Sequence, residues 1–127
     1  IHNIGRVELK KCPQLYSECD ALFLPTLLEC FSANYPEAMK MKIPIITSKL
    51  SFATEICKDS ALYFDPMDEF NISKTIKLLI ENPLIYKQLI ENGLERLKSF
   101  LSASKRAEKY LNICEEIIKK QKINSQL

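Results

Sequence analysis

The stretch LFLPTLLECFSANYPEAMKMKIPIITS, residues 22–48, runs from a short apolar segment through a loop and a helical pattern to a second apolar segment. We predict that one strand ends at Pro25, that a helix begins near Tyr35, and that the next strand begins at Pro44. Strands that alternate with helices in this way are typical of a parallel sheet. The stretch therefore predicts an α/β fold.

The same alternation continues on both sides of this stretch. Four short apolar runs are predicted as strands, at residues 1–5, 21–24, 44–47 and 61–64. Each has four or five residues and is mostly apolar, as expected of strands that are buried on both faces. Short helices are predicted at residues 11–19 and 36–42, with a further turn at 53–57. We expect three layers, with a parallel sheet between two layers of helices.

Three further helical patterns follow the last predicted strand. Asp65, Pro66 and Asp68 precede the first, and Asn82 and Pro83 separate it from the second, because asparagine caps helices and proline suits their first position. The first has a stripe of Ile72, Ile76, Leu79 and Ile80. The second carries Tyr86, Leu89, Ile90, Leu94 and Leu97, with Gly93 as a tolerated weak point. The third groups Ala107, Tyr110, Leu111, Cys114, Ile117 and Ile118.

Composition excludes several classes of function. The 127 residues are 46% apolar and 27% charged, as in one soluble globular domain. Gly5 and Gly93 are the only glycines, so neither a GxGxxG dinucleotide fingerprint nor a P-loop can be present. A net charge of +2 is too even for a nucleic-acid-binding surface. We expect no nucleic-acid partner.

Cysteine and histidine usage argues against metal sites and hydrolytic triads. The cysteines form no CxxC or Cys/His cluster, so we expect no metal and interpret them as reduced thiols: Cys12, Cys19, Cys30, Cys57 and Cys114. His2 is the only histidine and lies at the chain start, which argues against a triad. The sequence has no apolar run of roughly 20 residues and no signal-peptide pattern, so we expect a cytoplasmic location.

The C-terminal region is basic. Residues 98–122 contain seven basic and three acidic side chains, and most of the basic ones share the face opposite the apolar pattern. We interpret this as a solvated face, with contact to an anionic membrane surface or to another domain as alternatives. Residues 1–122 are predicted to form the domain and residues 123–127 a frayed tail.

Two glutamates mark the candidate site. Glu29 lies in the loop after the strand that ends at Pro25, and Glu37 lies in the first turn of the following helix. In parallel sheets ligands gather at the carboxyl ends of strands, where helix N-termini present free N–H groups. Carboxylates there can accept from pairs of sugar hydroxyls, while N–H groups bind phosphate.

Structural alternatives exist for both carboxylates. Asn34 and Glu37 fit a variant of the capping box, with Asn34 as the cap and Glu37 at the third helical position. Glu29 fits an ordinary solvated loop carboxylate. The spacing of the two glutamates does not decide between these interpretations and a ligand site.

From its opening residues through about Leu111 the sequence resembles the C-terminal half of family-4 (group 1) retaining glycosyltransferases. ALFLPTLLECFSANYPEAM, residues 21–39, is similar to the family's strand ending in Pro and a small hydroxyl residue, then a Glu, a Phe-containing loop, and a second Glu before Ala and Met. IPIITS at 43–48 resembles the next family strand, and SALYFDPMD at 60–68 the strand and Asp-Pro turn. The resemblance implies a GT-B architecture, of which this chain is the Rossmann-like C-terminal half.

The resemblance also implies roles for individual residues. Glu29 would hold hydroxyls of the donor sugar as the catalytic carboxylate, and Glu37 would bind the ribose of the nucleotide. Tyr16 matches a tyrosine in the family's preceding helix, where we expect core packing. Backbone N–H groups would face the sugar and diphosphate from Phe31, Ser32, Ala33 and Asn34. The segment beside the base would be Gly5, Arg6 and Val7. Family members often have glycine where this chain has Cys30, Ser32 and Lys42.

We therefore expect a glycosyltransferase domain that binds a nucleoside diphosphate sugar, with UDP preferred as the nucleotide and no further cofactor. It would transfer a hexose or N-acetylhexosamine, with retention of configuration, to a glycan or lipid-linked acceptor in surface polysaccharide synthesis. The chain starts at Ile1 rather than Met, so we expect an excised domain, inactive alone, with the acceptor domain and a basic diphosphate clamp upstream. Alternatives are a non-catalytic binding or scaffold domain and a GT-B sugar-nucleotide epimerase.

Overall fold

The computed structural model describes residues 1–124, with side chains described through residue 121. The chain folds as two compact units, Ile1–Leu97 and a second that begins at Lys98. The elements are a 3-10 turn (Leu9–Lys11), α1 (Cys12–Ser17), β1 (Leu22–Leu24), α2 (Asn34–Lys40), β2 (Ile45–Ser48), α3 (Ser51–Cys57), β3 (Ala61–Phe64), α4 (Glu69–Glu81), α5 (Pro83–Leu97) and α6 (Ala103–Asn124).

Three parallel strands form the sheet, in the order β1-β2-β3. Leu22 pairs with Ile45, and Ile45 pairs with Ala61, so the strands are nearly in register. The central strand β2 is buried along its whole length, as the mostly apolar run at residues 44–47 predicts for a strand covered on both faces. Three of the four predicted strands are confirmed, and β3 occupies the predicted residues.

The predicted strand at residues 1–5 is wrong. These residues are not part of the sheet, and Ile1 and Ile4 are exposed. The Gly5 N–H donates instead to Asn3 Oδ1 at 2.8 Å, a local turn in which Gly5 has a φ of 70°. An apolar run becomes a strand only where a neighbouring strand can take up its backbone hydrogen bonds, and the three strands of the sheet leave this segment unpaired.

Helices cover both faces of the sheet. On one face Ile46 and Phe64 pack against Leu79 of α4 and Leu89 of α5. Thr47 follows Ile46 in β2 and therefore points to the other face, where Tyr35 of α2 contacts it. This arrangement is the predicted three-layer, Rossmann-like α/β fold.

The predicted start of α4 is confirmed, but its apolar stripe is narrower than predicted. Asp68 is the N-cap, and its Oδ1 accepts from the N–H groups of Phe70 and Asn71. Leu79 is buried in the core, whereas Ile80 is 74% exposed. Successive helical residues differ by about 100° in direction, so only one of these two neighbours can face the sheet.

Gly93 is a packing position between α5 and α2 rather than a tolerated weak point. It is buried, and a Cβ added there would lie 3.3 Å from Met39 Cγ and 3.8 Å from Met39 Cα. Its lack of a side chain therefore lets the two helices approach closely.

Gly93→Leu is expected to destabilise the fold by about 1–3 kcal/mol, because the larger side chain would push α5 away from α2. Gly93→Ala is the matched control. Alanine stabilises a helix by about 1 kcal/mol relative to glycine, and this offsets the cost of displacing the flexible Met39 side chain. We therefore expect a small net change in the free energy of unfolding. Urea unfolding measures both, and a Leu variant as stable as the wild type would contradict the packing role.

Side chains of α5 hold the turn between α3 and β3. Arg96 Nε donates to Ile56 O at 2.7 Å, and its Nη2 donates to Glu55 O at 3.0 Å. Asn92 Nδ2 donates to Asp59 O at 2.8 Å. Burial raises the pKa of the adjacent Cys57 thiol to about 12, although the Arg96 charge opposes this shift. The C-terminal carbonyl groups of α3 are thus satisfied by a distant helix.

The second unit contains α6. Its apolar side chains form the predicted group but are exposed, Tyr110 by 69% and Ile117 by 50%. Among the described residues, neither this helix nor any other is long and apolar enough to cross a membrane. The domain boundary at residue 122 stays a prediction. Of the predicted frayed tail, 123 and 124 belong to α6, and 125–127 lie outside the described residues.

Candidate functional site

The loop at residues 25–33 connects the end of β1 to the start of α2. It therefore lies at the carboxyl edge of the parallel sheet, where ligands bind in open α/β folds. Leu27, Leu28 and Phe31 in this loop are exposed by 60%, 87% and 52%, whereas Ser32 is buried. The loop thus has an anchored end at the helix and an apolar surface open to other groups.

A buried hydrogen-bond chain fixes α2 to this edge. Thr47 Oγ1 donates to Leu24 O at 3.0 Å, and Tyr35 Oη lies 2.8 Å from Thr47 Oγ1. Because the threonine hydroxyl has one proton, and that proton goes to Leu24, the tyrosine must be the donor in the second bond. This chain of hydrogen bonds joins α2, β2 and the last residue of β1. The helix that carries Glu37 therefore has a fixed position on the sheet.

Glu29 is half-buried in the loop. Burial raises the pKa of Tyr35, the Thr47 hydrogen bond lowers it, and the charge of Glu29 adds a small upward contribution. The Glu29 carboxylate is therefore within electrostatic reach of the Tyr35 hydroxyl.

Glu37 lies on α2, and the capping-box interpretation is wrong. Ala33 is the N-cap and makes no side-chain capping bond, so Asn34 is the first helical residue and Glu37 the fourth. Glu37 is one position further along than a capping box requires, so its carboxylate is not placed to complete the box. It is available to groups outside α2.

Tyr16 is the site residue whose role the sequence did not reveal. The expectation of core packing is wrong, because the side chain is only half-buried and its hydroxyl is used. Tyr16 Oη donates to Glu37 Oε2 at 3.0 Å and lies 3.4 Å from Asn34 Oδ1. The 21-residue separation between Tyr16 and Glu37 leaves no local pattern from which this pairing could be found.

Two buried hydroxyls lie at the same edge. Within the described part of the chain, Thr26 Oγ1 and Ser48 Oγ are buried and make no hydrogen bond. Thr26 follows β1, and Ser48 is the last residue of β2. Buried polar groups are almost always paired with a hydrogen-bond partner. The sequence signal was a small hydroxyl residue at the end of each strand. A ligand or an ordered water at this edge can complete their hydrogen bonds.

The three residues that were predicted to lie beside the nucleotide base are in a different local setting from the loop at residues 25–33. Gly5 forms the turn described above, and Arg6 and Val7 line a shallow pocket of about 510 Å³ with Glu8, Leu9 and Cys12. No residue of the 25–33 loop lines that pocket. The roles of these three residues, like those of Phe31, Ser32, Ala33 and Asn34, stay predictions.

An apolar pocket of about 580 Å³ lies next to β1. Phe23, Ile46, Leu79 and Tyr86 line it, and neither Glu29 nor Glu37 does. Among the residues described, no three His, Cys, Asp or Glu side chains converge in a way that could hold a metal ion.

Lys42 has a φ of 59°, in the left-handed region that favours glycine. It follows the end of α2, and its N–H donates to Met39 O. Lys42 therefore adopts a backbone conformation that glycine would adopt at lower cost.

Comparisons with known proteins agree with this fold. Residues 1–96 match the family model of glycosyl transferases group 1. The O-antigen chain mannosyltransferase RfbU of Salmonella typhimurium is 34% identical over 83 residues, which cover 65% of this chain and 23% of that protein. The O-antigen chain mannosyltransferase B of Escherichia coli is 27% identical over 100 residues, 79% of this chain and 26% of that protein.

A solved structure has the same fold. Sucrose-phosphate synthase from Thermosynechococcus elongatus superimposes with a TM-score of 0.80 at 19% identity, over 92% of this chain and 30% of that one. The chain spans about a quarter of the length of the curated relatives it matches. With the family model covering most of the residues and the fold in agreement, the chain belongs to the glycosyl transferases group 1 family.

Proposed function

We propose that this chain is the donor-binding part of a retaining glycosyltransferase. It would bind a nucleoside diphosphate sugar and pass a hexose to a glycan or lipid-linked acceptor in surface polysaccharide synthesis. Membership of the family supports the transferase activity. The site assignment depends on one observation about the Glu37 carboxylate. It does not cap the start of its own helix, and Tyr16 of α1 contacts it.

Each carboxylate has a separate task in this proposal. Glu29, in the loop that follows β1, accepts from hydroxyls of the donor sugar. Glu37, on α2, accepts from the ribose hydroxyls. Backbone N–H groups at residues 31–34 face the diphosphate, on which negative charge grows as the bond to the sugar lengthens. The protein supplies position and charge stabilisation rather than a covalent nucleophile.

The names of the two relatives favour mannose as the transferred hexose. The nucleotide base is a separate question, because no described residue identifies it, and UDP stays a prediction from the sequence. Turnover of GDP-mannose, UDP-glucose and UDP-N-acetylglucosamine by the complete enzyme that contains this domain would rank the donors. The anomeric configuration of the product, read by proton NMR, tests retention. An inverted product would overturn the retaining mechanism.

We also propose that the basic region at residues 98–122 contacts an anionic membrane on the cytoplasmic side, near a lipid-linked acceptor. The exposed apolar side chains of α6, such as Leu111 and Ile118, support this placement. Co-sedimentation of the full chain with vesicles with and without anionic lipid tests it, and equal binding to both would contradict a charge-based contact.

Glu37→Gln in the full chain is expected to weaken the binding of UDP or GDP about tenfold or more. Hydrogen bonds to a charged acceptor contribute about 1.5–3 kcal/mol, and each 1.4 kcal/mol is about a tenfold change in Kd. Isothermal titration calorimetry measures the effect. Glu81→Gln, at the exposed end of α4, is the matched control. Equal affinities of wild type and Glu37→Gln would remove the ribose role of Glu37.

A further inference from the structure

The contact between α1 and α2 places a tyrosine hydroxyl against a candidate ligand-binding carboxylate. Tyr16 Oη lies 3.0 Å from Glu37 Oε2, the shorter of its two contacts, with Asn34 Oδ1 at 3.4 Å. The hydroxyl has a single proton, so the shorter contact to the charged acceptor takes it. Glu37 Oε1 is left with its full capacity to accept.

A glutamate side chain without such a contact is free to rotate about three torsions. Each aliphatic torsion has three staggered wells, so a ligand that needs one arrangement loses about threefold in affinity for each torsion it must fix. A hydrogen bond that already holds Oε2 removes part of this loss before the ligand arrives. Tyr16 is well suited to the task, because its ring is half-buried and its hydroxyl is at the end of a rigid side chain that has only two torsions.

The hydroxyl remains protonated over the pH range of ordinary assays. Burial raises the pKa of Tyr16, and its hydrogen bond to Glu37 and the charge of that carboxylate raise it further. The other charged or titratable groups that contribute are Cys12 and Cys19, and both also act to raise it. Tyr16 can therefore only donate to Glu37, and the contact is not lost as the pH rises through neutrality.

We propose that Tyr16 is a positioning residue for nucleotide binding, which holds Glu37 Oε2 so that Oε1 faces the ribose hydroxyls of the donor. This inference rests on the proposed function, because it assigns the ligand side of Glu37 to ribose. It predicts an effect that depends on the ligand: Tyr16 matters only when the bound nucleotide has ribose hydroxyls for Glu37 to accept from.

The test compares nucleotides with and without these hydroxyls. In the full chain, Tyr16→Phe is expected to weaken binding of UDP or GDP about fivefold in calorimetry, and to change binding of the 2′,3′-dideoxy forms by less than about twofold. In steady-state assays of the complete enzyme that contains this domain, KM for the donor should rise while kcat stays nearly constant. Tyr63→Phe is the matched control, since its hydroxyl donates to Lys58 O at the turn before β3, and it should leave nucleotide affinity unchanged.

A double variant keeps the inference testable if Tyr16→Phe also lowers stability. In a chain that already carries Glu37→Gln, adding Tyr16→Phe should not weaken nucleotide binding by a further factor of about five, because the two residues act as one unit. Thermal unfolding followed by circular dichroism records the stability of every variant independently of the ligand.

The outcomes separate this inference from the proposed function. Equal weakening of the ribose and dideoxy nucleotides would show that Tyr16 is only structural, and would overturn the inference. Weakening by Glu37→Gln but not by Tyr16→Phe would overturn the inference and leave the ribose role of Glu37 intact. If neither substitution changes affinity, both the inference and the ribose role fail.

Discussion

Glu29→Gln in the complete enzyme that contains this domain is expected to slow sugar transfer about 100-fold. Glutamine has nearly the same shape but no charge, and it replaces one accepting oxygen by a donor, so hydroxyls held by Glu29 lose a charged partner. One such loss accounts for about 3 kcal/mol, which is about 100-fold in rate if the contact strengthens in the transition state. The half-buried position of Glu29 reduces solvent screening and favours the upper part of the range.

Initial rates at saturating acceptor, with the donor concentration varied, measure this effect. A decrease in kcat and kcat/KM together would show that Glu29 acts in the transition state, whereas a rise in KM alone would limit it to donor binding. Glu81→Gln serves again as the control for loss of one surface charge. A Glu29→Gln enzyme within about twofold of the wild type would contradict the assignment.

Thr47→Val is expected to destabilise the fold by about 2–4 kcal/mol, since each buried polar group left without a partner costs about 1–3 kcal/mol. The substitution keeps the shape of the side chain but removes the hydroxyl that both accepts from Tyr35 Oη and donates to Leu24 O. Because Thr47 is fully buried, water cannot replace the lost hydrogen bonds without a rearrangement.

Thr75→Val is the matched control for this prediction. Thr75 is also buried, but its Oγ1 donates to Asn71 O, four residues earlier in the same helix, and an α-helical carbonyl has its main partner in the backbone. Its loss should cost less than about 1 kcal/mol. Chemical unfolding of the two variants gives the comparison, and equal losses would show that the Tyr35–Thr47–Leu24 chain contributes little.

Local patterns in the sequence predicted most of the fold. The strand at Ala61–Phe64 and the start of α4 at Asp68 depend on apolar runs and on a capping side chain, which act over a few residues. The run at residues 1–5 was predicted as a strand on the same grounds and failed because strand formation also needs a neighbour to pair with. Composition records the tendency of a segment but not the identity of its partner.

The candidate site was predicted in its position but not in its internal contacts. The loop after β1 and the start of α2 follow from the strand and helix pattern. The contact between Tyr16 and Glu37, the link from Tyr35 to Thr47 and the close approach at Gly93 all join residues far apart in the chain. Such contacts depend on how elements pack, and a single sequence taken alone holds no record of them.

The hold of α5 on the end of α3 has a consequence during protein synthesis. Arg96 lies 40 residues after Ile56, and Asn92 lies 33 residues after Asp59, so these carbonyl groups are synthesised well before their partners exist. Until translation reaches Arg96, the segment that leads into β3 lacks the hydrogen bonds from α5. A chain truncated before that point would lack these bonds permanently, and its α3–β3 turn would depend on local contacts such as that of Tyr63 Oη with Lys58 O.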